Sequence, residues 1–387
     1  MLDGSATRSA EDDQALRVAQ VHWNDADPIG KLTRKLGPGP FELVCLFVSP
    51  RADFHALNGA AKGAFGRADV FACTTAGEIG ATGYEEGQII AIGFPSTLFS
   101  VDALVIDGLD AINDREVIDR LMQRRLRLSM EASDMTHEFA FLLVDGLSLQ
   151  EENIASVLAS AMGPMPLFGG STGDGTNFDT TWLSYNGQVR QNAALLALVR
   201  SRCPVQVFSV DHFEPTDIRM VVTRAAPDHR TVLEINAEPA ATEYARLLGK
   251  DLAQLDTGTF AAHPLVVRLG HSHHVRSIRK VGEDGSLLFF SAINEGMVLT
   301  LAETQDMAHH LENALQNLGR DGAPTQILGC DCLLRRLEAE QFQQTRALSQ
   351  ILSRHRVTGF NTYGEQHGAL HVNQTLTGVA FYPPDQD

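Results

Sequence analysis

A chain of 387 residues, 44% apolar and 20% charged, holds material for more than one hydrophobic core. Its formal charge of −17 speaks against nucleic acid and anionic lipid, which select for basic faces. No run approaches the ~20 apolar residues of a membrane helix, and the opening MLDGSATRSAEDDQALRVAQ lacks the apolar stretch of a secretory signal, so neither insertion nor export is expected.

In chain order, residues 1–35 read as a polar lead-in. Glu42–Ser49 follows as a buried strand, Ala52–Phe65 as a helix, and Val70–Cys73 as a short strand entering the turn Thr74-Thr75-Ala76-Gly77-Glu78. Strands at Gln88–Phe94 and Phe99–Ile106 precede an amphipathic helix over Asp114–Leu128. Its run Arg124-Arg125-Leu126-Arg127 suits a solvated helix end. Glu138–Val144 is a strand and Gln150–Met162 a helix. A glycine-rich turn, Gly169 to Gly175, leads to strands at Thr181–Tyr185, Asn192–Val199 and Val205–Val210.

The polar, proline-bearing stretch Asp211–Asp217 interrupts this pattern and marks the expected boundary between domains 36–213 and 214–387. Beyond it come strands at Arg219–Arg224 and Thr231–Ile235, a helix over Pro239–Leu248, and strands at Leu265–Leu269, Leu287–Ile293 and Met297–Ala302. A helix at Thr304–Leu318, a strand at Gln326–Cys330, a helix carrying Leu334, Leu337, Leu348, Ile351 and Leu352, and a long final strand, Ala369–Tyr382, complete the chain. The fold class expected is α/β of the mixed α+β kind: two domains, each with a mixed sheet and packed helices.

Five scattered cysteines, Cys45, Cys73, Cys203, Cys330 and Cys332, make no disulfide framework and suit the reducing cytoplasm. Cys330-x-Cys332 lacks the spacing of a zinc or redox pair.

One pattern occurs three times. Thr75-Ala76-Gly77-Glu78, Ser171-Thr172-Gly173-Asp174 and Thr362-Tyr363-Gly364-Glu365 all read [ST]-x-G-[DE], each just after an apolar stretch with a phenylalanine (Phe71, Phe168, Phe360). Such residues make good turns in any setting. Alternatively the three turns line one cleft, with glycine admitting a ligand to the backbone and hydroxyls binding it. The final strand offers a second signal. Strict alternation puts His371, Asn373, Thr375 and Thr377 on one face, followed there by Val379 and Phe381. That polar row either faces water or lines a pocket.

FACTTAGEIG (Phe71–Gly80), VDGLSLQEE (Val144–Glu152), LFGGSTGD (Leu167–Asp174), GCDCLLRR (Gly329–Arg336), GFNTYGE (Gly359–Glu365) and HVNQTLTG (His371–Gly378) fall in the order of the FIST sensory family, which the chain resembles from about Glu42 to Phe381. The resemblance implies a FIST N-terminal domain followed by a FIST C-terminal one, and intracellular ligand sensing in bacteria. Through Asp331-Cys332-Leu333-Leu334-Arg335 the chain is similar to a stand-alone subgroup associated with haem and nitric oxide. That subgroup signals through a histidine kinase or a cyclic-di-GMP enzyme. No kinase, cyclase or helix-turn-helix segment is read in this chain, so a partner would deliver the signal.

On that reading the ligand-binding candidates are Thr75, Gly77, Glu78, Ser171, Thr172, Gly173, Asp174, Asn373, Thr375 and Thr377. Haem requires an axial ligand, an apolar pocket and usually cations for its propionates. His371 leads as axial ligand, the one metal-binding residue expected. His367, Cys332 as thiolate and the run Gly270-His271-Ser272-His273-His274 are its rivals, and Arg335 or Arg336 could meet an anionic group. Amino acids or other small metabolites suit the cleft as an alternative ligand class. A second alternative is an acyl-transfer or hydrolytic enzyme using Cys73, whose following turn could form an oxyanion hole. No signature assigns that cysteine a histidine base, so a non-enzyme is expected.

Overall fold

A computed structural model describes residues 14–269, 272–320 and 322–384. Part of the expected lead-in is folded. Strand β1 (Arg17–His22) and helix α1 (Pro28–Leu36) come first, the helix capped by Asp27 and burying Ile29, Leu32 and Leu36. Next follow β2 (Phe41–Val48), α2 (Phe54–Ala61), β3 (Asp69–Thr74), the hairpin β4 (Glu78–Gly80) and β5 (Gly83–Glu85), and β6 (Gln88–Pro95).

The same order then returns. β7 (Phe99–Asp107), α3 (Asp114–Glu131), β8 (His137–Val144), α4 (Glu151–Met162), β9 (Leu167–Ser171), the hairpin β10 (Leu183–Tyr185) and β11 (Gln188–Arg190), and β12 (Ala193–Ser201) repeat it element by element. A third copy opens with β13 (Val205–Val210) but is interrupted by a lobe. That lobe holds β14 (Phe213–Ala226), β15 (Thr231–Ile235), β16 (Glu238–Pro239), α5 (Ala240–Leu248), α6 (Thr257–Ala262), β17 (Leu265–Leu269), β18 (Ser272–Arg276), β19 (Ile278–Val281), β20 (Leu287–Phe289) and β21 (Val298–Thr304). The copy resumes with α7 (Met307–Asn317), β22 (Gln326–Cys332), α8 (Leu333–Gln341), α9 (Thr345–Arg354), β23 (Val357–Thr362), the hairpin β24 (Glu365–His367) and β25 (Leu370–Val372), and β26 (Leu376–Phe381).

Each copy builds a six-stranded sheet of one design. The orders are β1-β6-β2-β3-β10-β11, β7-β12-β8-β9-β24-β25 and β13-β26-β22-β23-β4-β5. In every sheet the third and fourth strands are parallel and the other neighbours antiparallel. The two outermost strands are always a hairpin borrowed from another copy. The first copy lends to the third, the second to the first, and the third to the second. The two expected domains are therefore a division of sequence whose parts exchange strands in space.

The inner faces of the three sheets share one core, in which Phe47 stacks on Phe360 at 4.4 Å and Phe381 meets Phe94, Phe99 and Phe139 edge-on. Helices cover the outer faces. This explains why β2 and β8 read as unbroken apolar runs: both of their faces are buried. The lobe has a core of its own around Tyr244, Phe260 and Val222.

Three expectations need correction. The break at Asp211–Asp217 narrows to Asp211 and His212, because Phe213 already pairs with Thr304 and His212 is wholly buried. The single helix from Leu334 to Leu352 is two, with Gln343 at a φ of 58° between them. The long final strand is also two, broken where Gln374 turns left-handed at a φ of 52°, and its parts belong to different sheets. His371 and Thr377 thus lie on different strands, and none of the four polar residues faces water.

Candidate functional site

The three [ST]-x-G-[DE] turns meet at one end of the shared core. Gly173 N–H donates to the Thr74 carbonyl at 3.2 Å and Gly175 N–H to that of Thr75 at 3.1 Å, joining the second turn to the first. Ser171 N–H donates to the Gly364 carbonyl at 2.8 Å, joining second to third. Ala76 N–H to Asn361 at 2.9 Å and Asn361 N–H to Gly77 at 2.8 Å close the ring. Successive peptides thus satisfy one another where the strands end.

Within the ring the first and third turns are wired alike. Thr75 Oγ1 donates to Glu78 Oε1 at 2.6 Å, and Thr362 Oγ1 donates to Glu365 Oε1. Both carboxyls are fully buried. Burial pushes Glu78 up to about 7 and Glu365 up to about 8, against the opposing hydrogen bonds from Thr75 and Gln88 N–H in one case and from Thr362 and Thr375 in the other. The second turn differs. Asp174 accepts from the N–H groups of Phe178, Asp179 and Thr180 and from the Tyr363 hydroxyl, while Ser171 Oγ accepts from Gln366 Nε2 at 3.0 Å.

Between the first turn, the second turn and α8 lies an open cleft of about 290 Å³, bordered by Gly77, Glu78 and Asp174 together with Arg51, Glu86, Arg336 and Glu340. Arg336 is its centre. The guanidinium donates to Asn361 Oδ1 at 3.2 Å, to the Glu85 carbonyl at 3.1 Å, and to Glu86 and Glu340 at 3.1 and 3.2 Å. It lies so close to the first turn that a β-carbon on Gly77 would overlap it, and Gly77 holds a φ of +139°.

The other expected residues are scattered about this ring. Thr172 Oγ1 accepts from Gly146 N–H at 3.0 Å, Thr375 gives both its N–H and its hydroxyl to Glu365 Oε2, and Thr377 Oγ1 donates to the Gly169 carbonyl at 3.3 Å. His371 is buried in the hairpin opposite Gln366, whose Nε2 lies 3.3 Å from the imidazole Nδ1. Burial pulls His371 down to about 4 and leaves the ring neutral. His367, next along β24, points to the opposite face from Gln366 and so stands apart from His371.

These surroundings do not fit haem at His371. Its Nε2 and Cε1 edge leans on Gly364, where not even a β-carbon could stand, and Nε2 has no partner. An axial ligand needs that nitrogen open to a broad apolar slot. Cys332 is buried with its thiol pushed well up by burial, the reverse of a thiolate ligand. Arg335 is spent internally. It pairs with Asp331 at 2.8 Å and His212 Nδ1 at 3.0 Å, in a buried network that takes in Tyr84 and Glu338. Cys73 sits in the shared core, its thiol pushed well above the ordinary range, as a packed small hydrophobe. His271 lies outside the described residues; among those described, no three His, Cys, Asp or Glu side chains are grouped to hold a metal ion.

Residues 42–238 match the FIST N domain and residues 240–367 the FIST C domain. The chain is also similar to an uncharacterised protein of Methanocaldococcus jannaschii, 23% identical over 254 residues that cover 61% of this chain and 48% of that one. The chain spans about half the length of that curated relative.

Proposed function

The chain belongs to the FIST family of small-ligand sensory domains, and on that premise we propose that it senses a small polar metabolite in the cleft between the first turn, the second turn and α8. The observation that supports this is the charge pattern of the cleft. Arg51 and Arg336 border a space of metabolite size in ion pairs with Glu86 and Glu340, Arg51 with Glu86 at 3.1 Å and Arg336 with Glu86 and Glu340 at 3.1 and 3.2 Å. A zwitterion of the amino acid class binds there by exchanging into these pairs, each of its ends taking one partner. The turns that border the cleft are hydrogen-bonded to the third turn, so a ligand there bears on all three sheets at once. That is a route from occupancy to shape, provided the ligand prefers one of two arrangements.

The output is read by a separate protein, for which a histidine kinase or a cyclic-di-GMP enzyme is proposed. Haem-dependent nitric oxide sensing is the rival reading, and one set of measurements separates the two. A thermal-shift screen of amino acids and other small zwitterions is run on the wild type and on Arg336→Gln, and visible spectra are taken after expression with ample haem. Stabilisation by a zwitterion that Arg336→Gln abolishes supports the cleft. A Soret band that moves with nitric oxide, with no stabilising metabolite, overturns it.

A further inference from the structure

The threefold repeat allows the three turns to be compared by what leans on each glycine. Against Gly77 stands the Arg336 guanidinium, at the open cleft. Against Gly173 stands Ala76, peptide on peptide. Against Gly364 stand the His371 imidazole and the Asn373 amide, Nε2 and Nδ2 lying 2.8 and 3.1 Å from where a β-carbon would be. The first junction is open to solvent, and the second is closed by the loop that satisfies Asp174. The third is covered by the inserted lobe.

The contact between lobe and body at this third junction is mainly polar, with Phe290 of the lobe against Phe178 at 5.6 Å as its aromatic part. Arg230 of the lobe donates to Glu151 at 2.5 Å and to Glu152 at 2.6 Å at the head of α4. Ala292 N–H donates to Glu152 at 2.8 Å, Ser291 Oγ to Asn373 Oδ1 at 2.5 Å, Ser277 Oγ to Gln374 at 3.0 Å, and Arg276 Nη1 to the His371 carbonyl at 3.2 Å. In the midst of these partnered groups four buried polar atoms have none: His371 Nε2, Asn373 Nδ2, Arg276 Nε and Gln366 Oε1. Three of them are donors, since His371 Nδ1 accepts a hydrogen bond from the Gln366 amide and so leaves the ring hydrogen on Nε2. Leaving such groups unmet costs ~1–3 kcal/mol each, which is a strong reason for something to meet them.

We propose that this buried cluster of unmet polar atoms beneath the lobe is a second ligand site, separate from the cleft, which on parting of the lobe takes a small carboxylate carrying a neighbouring hydroxyl or amino group. Asn373 Nδ2, His371 Nε2–H and the Arg276 guanidinium supply the donors that a carboxylate accepts from. Gln366 Oε1 is the lone acceptor, and it gives a reason for the neighbouring O–H or N–H. Since the site is roofed by the lobe, entry requires the polar seam to part. A seam held chiefly by ion pairs and hydrogen bonds is the kind that does part.

The test uses the full chain and sodium glycolate, with acetate as the analogue that lacks the hydroxyl, titrated calorimetrically at constant ionic strength. Glycolate is expected to bind more tightly than acetate. Asn373→Asp, which keeps the side-chain shape but sets a negative charge against the ligand, is expected to weaken it by about 10- to 100-fold; Arg276→Lys should weaken it too. Gly364→Ala should block it, while Arg336→Gln should leave it unchanged. Absence of glycolate binding to the wild type, or binding untouched by Asn373→Asp and Arg276→Lys, overturns the proposal. So does loss of binding in Arg336→Gln, which would move the ligand to the cleft. Should the seam variants fail to fold, a glycolate-soaked crystal of the wild type decides, and density for water alone on His371 and Asn373 refutes the site.

Discussion

The hydroxyl of Tyr363, in the third turn, donates to the carboxylate of Asp174 in the second, across 189 residues of chain. The same oxygen accepts from the N–H groups of Asp174 and Phe178 at 3.1 and 3.2 Å, and the ring stacks on Phe178 at 4.4 Å. Replacing it by Phe keeps the stack and strips four polar contacts at once, the Gly175 carbonyl at 3.1 Å among them. Tyr363→Phe is expected to lose ~1.5–3 kcal/mol of stability in urea unfolding, with the slope of the transition unchanged. A loss below ~0.5 kcal/mol would show that the turns hold together without this bond.

Gly77 tests the cleft from its floor. Alanine there meets both a φ of +139° and the Arg336 guanidinium. Gly77→Ala is expected to cost more than ~1 kcal/mol and to abolish zwitterion binding. Gly37, at a φ of +77° with open space around it, supplies the control for backbone strain alone. Gly37→Ala should leave ligand binding intact.

Glu365 makes stability depend on pH. Its carboxyl is held at about 8 when folded and returns to the ordinary carboxylate value, near 4.5, when unfolded. Between those values the folded protein holds the extra proton, so this group's contribution is fully present below the unfolded value and is lost as pH rises through about 8. Glu365→Gln keeps an acceptor for Thr375 and cannot ionise. Stability measured from pH 6 to 8.5 should fall more steeply in the wild type than in the variant, with the difference approaching ~1.4 kcal/mol per pH unit. Parallel curves would show that Glu365 does not hold the proton.

Arg335 is expected to be a structural residue. Removing its charge leaves Asp331 buried without a cation, held only by the Tyr84 hydroxyl, and strips the Nδ1 contact from His212, which keeps Glu338 alone. Arg335→Met should cost ~3–5 kcal/mol in denaturant unfolding while leaving the affinity of any ligand for the folded protein unaltered. A well-folded variant that no longer binds would move Arg335 into the site.

Arg230 holds the seam. Arg230→Met removes both ion pairs to α4 and strands Glu151 and Glu152. Amide hydrogen exchange is expected to quicken along β20 and β25 while β2, β8 and β22 stay protected. Uniform quickening would mean that lobe and body unfold as one.

Much of the fold was legible because its strongest signals are local. The runs at Phe41–Val48 and His137–Val144 are buried on both faces, and nothing in them competes with a strand. The three turn motifs are the sequence trace of the threefold repeat. The repeat itself stayed hidden because each short hairpin pairs far away: Glu78 with Phe360, Leu183 with Cys73, Glu365 with Gly170. The polar row from His371 to Thr377 misled for a related reason. Alternation holds only within a strand, and the left-handed Gln374 hands the chain from one sheet to another. Of the two arginines after Cys332, sequence gave no means to tell Arg336, at the cleft, from Arg335, in the core. Gln366, Arg276 and Arg230 carried no signal, since ordinary surface residues look the same until a lobe is laid over them.

The lending of hairpins also sets a timetable for synthesis. The hairpin β4–β5 leaves the ribosome about 270 residues ahead of the strand it must join, β23. At ~5–20 residues per second the wait is on the order of tens of seconds. Throughout it, the nascent chain carries an unclaimed strand pair, and the first sheet must wait for β10–β11 to close its own edge. A nascent chain that stops short of β23 can complete only the loan of β10–β11 to the first sheet and leaves the other two sheets without their borrowed hairpins. Premature termination should therefore yield sticky, chaperone-bound polypeptide rather than a smaller working sensor.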